Sequence, residues 1–125
     1  TRWPVHATAT GKVLMAFGDD ELSEPPEGLA PITRNTIVSW DRWLEVLSEV
    51  REKGYATNIE EIEYGYASVA VPVRDETGKT TASISIGGPL HRVTRERIPS
   101  LTKLALAAAA RISEQLGYQG TRQHE

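Results

Sequence analysis

The chain has no cysteine. That absence excludes a disulfide, a thiolate nucleophile and a thiolate-held metal together. A basic block is missing too: 14 Lys and Arg stand against 17 Asp and Glu, for a net charge of −3. Neutralising phosphates supplies most of the affinity for nucleic acid, so this balance does not grip DNA unaided. Histidines are few, and His6, His91 and His124 form neither an H-x₃-H nor an HExxH pair. No metal and no cofactor are therefore expected. Apolar runs are short and no signal peptide is visible, so no membrane contact and a cytoplasmic location are expected. At 125 residues the length suits one domain.

A Gly-Lys pair stands in "HATATGKVLMAF", His6 to Phe17, between small polar residues and an apolar run. A phosphate-binding loop needs a second glycine five residues earlier and a Ser or Thr after the lysine. Here Gly11 is alone and Val13 follows Lys12, so nucleotide binding fails on spacing. What remains is a helix start with Thr8 and Thr10, whose exposed N–H groups favour an anion.

Helical spacing predicts a helix over 8–17, with Val13, Leu14 and Phe17 inward, and a possible turn of helix over Asp19–Ser23. Pro25, Pro26 and Gly28 then mark a loop. Ser39 to Lys53 carries an N-cap, an acid in its first turn and a face of Trp40, Trp43, Leu44, Leu47 and Val50, with Gly54 as its stop. "YATNIEE" reads as a strand entering an acidic turn. Tyr66 to Arg74 and "KTTASISIGG" alternate about the turn "DETG", an antiparallel hairpin. One hairpin face holds Val69, Val71, Val73, Ala82, Ile84 and Ile86; the other holds Ser68, Ala70, Pro72, Ser83, Ser85 and Gly87. Such small side chains leave room either for a ligand or for a closely packed helix. A last helix from Thr94 to about Leu116 is expected to bury Leu101, Leu104, Ala105, Ala108, Ile112 and Leu116, with residues 119–125 a flexible tail.

Taken together, "HATATGK", "TRNTI" at 33–37, "VREKGYA" at 50–56, "EEIEYG" at 60–65, "VAVPVRDETG" at 69–78 and "SISIGGP" at 83–89 resemble, in order and in register, the effector-binding domain of the isocitrate lyase regulator (IclR) family of bacterial transcription factors. Arg92 and the terminal "QLGY" fit as well. The resemblance implies an α+β, GAF-like domain, a curved antiparallel sheet flanked by helices, with residues 1–118 forming a partial domain that lacks its N-terminal portion. It implies a small-molecule effector, often an organic or aromatic acid, and a homodimer or tetramer. DNA would be met only through an N-terminal winged helix-turn-helix domain absent from this chain. Transferred position by position, the family's ligand contacts fall on Ala9, Thr10, Gly11, Asn58, Tyr66, Ser68, Ser85 and Gly87. Asn58 stands where Asp is common, and Gly87 replaces a Ser of some members. The first change favours an anionic ligand; the second removes a hydroxyl and is expected to enlarge the pocket.

Other groups have plainer expectations. His6 is assigned a structural hydrogen bond, Lys12 solvent or an acid such as Glu60, and Glu60, Glu61 and Glu63 a solvated turn. A hydrolase using Ser68 or Ser85 with His6 lacks a nucleophile elbow and an orienting acid, so no enzyme is expected. A domain that serves assembly alone, through "LALAAAA", is the remaining alternative.

Overall fold

The computed structural model describes residues 5–18 and 28–117. A short 3-10 turn at Val5–Ala7 leads into α1 (Ala9–Phe17), followed by α2 (Trp40–Lys53), β1 (Ala56–Ile59), β2 (Tyr66–Arg74), β3 (Thr80–Pro89) and α3 (Ile98–Gln115). The strands form an antiparallel meander in the order β1-β2-β3.

Alternation decides how this sheet is covered. On one face Ala67, Val69, Val71 and Val73 of β2 pack with Val93 and with Leu101, Ala105 and Ala109 of α3. On the other, Ala70 joins Ala9, Val13 and Ala16 of α1 and Trp43, Leu47 and Val50 of α2. β2 is thus buried on both sides, as a central strand between helical layers must be. Leu47 is fully buried, a contribution of about 1.5–3 kcal/mol for a side chain of that size. The small-residue face serves both purposes expected of it. α1 packs over part of it, and a cleft opens at the helix's N-terminal end.

Local signals account for the helix limits. Thr8 Oγ1 accepts from Gly11 N at 2.9 Å, and Ser39 Oγ from Arg42 N at 3.3 Å. Gly54 adopts φ +84° and donates its N–H to the Val50 carbonyl, closing α2.

Several expected faces need correction. In α3 the buried residues are Leu101, Thr102, Ala105, Ala109 and Ser113, whereas Leu104, Ala108, Ile112 and Leu116 are exposed. The helix lies along the sheet on an i+4 row, so a strip of apolar residues beside that row faces outward. Thr94 does not cap α3; its hydroxyl accepts from Arg97 N in a separate turn, and the helix begins at Ile98 with Pro99 in its first turn. Leu14 and Leu44 are exposed as well; α1 buries Ala9, Gly11, Lys12, Val13 and Ala16, and α2 buries Trp43, Leu47 and Val50. The turn expected at Asp19–Ser23 and the tail at 119–125 lie outside the described residues.

Candidate functional site

Three parts of the fold meet at one cleft of about 500 Å³. Thr8, Ala9 and Thr10 come from the start of α1, Asn58 from β1, Tyr66 and Ser68 from β2, Ser85 from β3, and Ile62 and Glu63 from the loop between β1 and β2. The sheet register explains part of this convergence: Asn58 pairs with Ser68, and Ser68 with Gly87. Six of the eight expected contacts, Ala9, Thr10, Asn58, Tyr66, Ser68 and Ser85, line the cleft.

Gly11 and Gly87 do not. The Gly11 amide is taken by the Thr8 hydroxyl, so it is not a donor for a ligand. A helix start leaves its first amides without an intrahelical acceptor, and Ala9 and Thr10, the first two residues of α1, line the cleft. Gly87 needs a different correction. The place of its missing side chain is filled by the Tyr66 hydroxyl, so the glycine does not enlarge the cleft.

Among the described residues no cationic side chain lines the cleft, and the one charged residue that does, Glu63, is exposed. A carboxylate placed here would rely on backbone N–H groups, hydroxyls and the positive end of α1. Ile62 and Glu63 were not among the expected contacts. The signal for them was present, an isoleucine inside an acidic turn, but only the folding of loop 60–65 over the sheet gives it a role.

That loop is firmly held. Thr33 and Thr36 hydroxyls donate to the Glu60 and Glu61 carbonyls, and Tyr64 Oη accepts from Arg34 N at 2.8 Å. Glu61 N donates to Asn58 Oδ1 at 3.0 Å, and Glu60 adopts φ +54° at the bend. From α1, Lys12 Nζ reaches Glu61 Oε1 at 2.7 Å and the Thr57 carbonyl at 2.6 Å. Lys12 is therefore buried against Glu61, neither solvated nor paired with Glu60. Burial lowers its pKa below the ordinary lysine value, and the Glu61 carboxylate offsets this only in part.

The pair has a second role at the sheet edge. Even-numbered residues of β1 bond to β2, as Glu60 N does to the Tyr66 carbonyl, so Thr57 and Ile59 point their backbone groups outward. Lys12 caps the Thr57 carbonyl, and Glu61 Oε2 accepts from Ile59 N at 3.4 Å. The ion pair stands where the next strand would bond. Beyond it lies a second cleft of about 480 Å³, between α2 and β1, also bordered by Lys12 and Glu61.

His6 does not line the ligand cleft; its Nε2 meets the Ala30 carbonyl at 2.8 Å. Among the described residues no group of three His, Asp or Glu could hold a metal. No described helix is long and apolar enough to cross a membrane.

Comparison with known proteins supplies the context for this cleft. The family model "Bacterial transcriptional regulator IclR C-terminal" matches residues 1–114. The HTH-type transcriptional regulator KdgR of Escherichia coli is 42% identical over 120 residues, covering 94% of this chain and 46% of KdgR. The chain thus spans about half the length of that relative. The crystal structure of the C-terminal domain of Escherichia coli KdgR superposes with a TM-score of 0.81 at 37% identity, over 94% of this chain and 74% of that one. The inducer-binding domain of PobR from Acinetobacter, a double mutant in complex with 3-hydroxybenzoic acid, gives 0.75 at 32% identity, over 89% and 65%. The named relatives are transcription regulators, not enzymes. With its α+β fold, its ordered motifs and these matches, the chain belongs to the IclR family of bacterial transcription regulators, as their C-terminal domain.

Proposed function

We propose that this chain senses a small carboxylate, aliphatic or aromatic, in the cleft between the start of α1 and the β2–β3 hairpin. One observation carries the reading. Residues far apart in sequence bring a helix start, five hydroxyl side chains and a buried amide to one cleft of ligand size. The carboxylate lies against the amides of Ala9 and Thr10, and Thr10, Ser68 and Ser85 hydroxyls bond the remaining oxygens. The 3-hydroxybenzoic acid complex of the PobR domain supports an acid as ligand class. A ligand that touches both α1 and the hairpin favours one arrangement of the domain. In the full-length regulator, acting in the cytoplasm as a homodimer or tetramer, that shift reaches DNA-binding domains and changes operator affinity.

Thermal unfolding of the chain with a panel of small aliphatic and aromatic acids tests this. A ligand at a hundred times its Kd adds about 2.7 kcal/mol of stability. The expected result is a rise in Tm for one acid class that is lost in the Thr10→Ala, Ser85→Ala double variant. Unchanged Tm across the panel overturns the sensor reading.

A second reading rests on α3, where Leu104 is 64% exposed beside Ile112 and Leu116. Such a strip suits a domain that serves assembly without a ligand. A chain that associates in solution and binds no acid supports this alternative.

A further inference from the structure

The cleft of about 480 Å³ between α2 and the outer edge of β1 has no part in the sensor reading. Its volume falls within the range of about 300–1,000 Å³ common to small-molecule sites. A buried cation sets it apart from an ordinary surface groove. Lys12 is 3% exposed and borders this cleft, and its ammonium carries three N–H donors. The Thr57 carbonyl and Glu61 Oε1 accept two of them, and the third has no acceptor among the described residues. The Thr57 N–H belongs to the outward row of β1, where no strand follows to bond it. Charge points the same way. Both acids of the cleft are already engaged, Glu61 with Lys12 at 2.7 Å and Glu49 with Arg42 at 3.2 Å. Lys53, exposed at the end of α2, has no carboxylate within ion-pair distance among the described residues, so the cleft keeps one uncompensated positive charge. Burial lowers the Lys12 pKa and Glu61 restores it only in part, so a further negative charge relieves the ammonium. Ile37, Val46 and Val50 add apolar surface.

We infer that the cleft between α2 and β1 is a second small-molecule site, one that takes an organic monoanion with a short apolar body. The anionic oxygens accept from Lys12 Nζ and the Thr57 N–H, Lys53 pairs with them from the rim, and the hydrocarbon part lies against Val46 and Val50. A neutral ligand leaves the positive charge uncompensated, and an anion without an apolar body leaves the valines facing water. The inference stands apart from the sensor reading, because the two clefts share no lining residue among those described.

Backbone amide shifts of the full chain, titrated with isovalerate, test this. The Thr10→Ala, Ser85→Ala variant is titrated beside the wild type, so that binding at the first cleft is told apart. The Val46, Lys53 and Thr57 signals are expected to move along one saturating curve, alike in both proteins. Isovaleramide, the neutral isostere, should bind about tenfold more weakly or less well still, for want of charge-assisted bonds. Lys53→Gln, at an exposed position that leaves the fold intact, should weaken isovalerate about two- to fivefold, as one exposed ion pair allows. The apolar double variant Lys12→Met, Glu61→Leu should lose saturation altogether. Shifts that stay linear to the highest concentration overturn the second site. A response confined to Thr10 and Ser85 overturns it too, while supporting the sensor reading. Equal affinity for isovalerate and isovaleramide overturns the anionic class, and so does equal affinity in wild type and Lys53→Gln. Saturation kept in the Lys12→Met, Glu61→Leu variant overturns Lys12 as the anchor; if that variant does not fold, the amide and Lys53→Gln comparisons still decide.

Discussion

Lys12 is only 3% exposed, and its environment makes it a structural cation. Its ammonium has two fixed acceptors, and the carboxylate it holds is only 13% exposed. Removing one member of a buried pair strands the other. Lys12→Met is therefore expected to cost about 3–5 kcal/mol in urea denaturation at neutral pH. The apolar double variant Lys12→Met, Glu61→Leu should recover much of that loss, which separates the stranded charge from simple packing. pH gives a sign as well as a size. Burial lowers the folded-state pKa of Lys12 below 10.5, so between those two values the unfolded chain binds more protons than the folded one. The stability gap between wild type and Lys12→Met should widen as pH rises from neutral through that window. A gap that narrows with pH contradicts the burial argument. Position 12 was identified in the sequence but its burial was not. A lysine one turn into a helix usually reaches water, and only the crossing of α1 over β1 brings Thr57 and Glu61 to it.

At the level of elements, the loop between β1 and β2 behaves as part of the sheet through its fastening. Thr36 Oγ1 donates to the Glu61 carbonyl and accepts from the amides of Ile32 and Thr33, joining segment 32–36 to the acidic turn. Thr36→Val keeps the shape and removes these bonds, leaving a buried amide unsatisfied. The expected cost is about 1–3 kcal/mol by chemical denaturation, with increased amide hydrogen exchange over 60–64. A change within 0.3 kcal/mol, measured to that precision, would show that the loop is held by its other bonds, those of Lys12, Thr33, Asn58 and Tyr64. The two faces of the hairpin were legible, because a period of two assigns each side chain before any tertiary contact forms, but the irregularity between Val73 and Arg74 was not. α3 was legible as a helix ending near Leu116, but neither its start at Ile98 nor its orientation was. Leu104, Ala108 and Ile112 fit a helical stripe as well as Ala105 and Ala109 do, and alanine has too little surface to announce which side is buried.

For the whole molecule, the layers are helix α3, sheet, then α1 with α2, and the two outer surfaces differ. On the α3 side Leu104, Ile112 and Leu116 form an outward apolar strip, which is a place for association. Leu104→Lys is expected to lower the concentration-dependent mass in light scattering or sedimentation. Stability should change by no more than about 0.5 kcal/mol, as at other exposed positions. An unchanged mass would remove this strip from any account of assembly. The cleft belongs to this scale too. Its residues come from positions 8 to 85, and no local pattern states that Thr10 and Ser85 line the same cleft. By itself the sequence determined the element types, the hairpin faces, the caps of α1 and α2 and the family to which the ordered motifs belong, because spacing and capping act over a few residues. Only the tertiary structure decided that Lys12 is an internal cation, that Ile62 and Glu63 border the cleft, and that the Tyr66 hydroxyl fills the place left by Gly87. Those outcomes depend on which surfaces exclude each other and share water's removal, and these are set when the layers close, not along the chain.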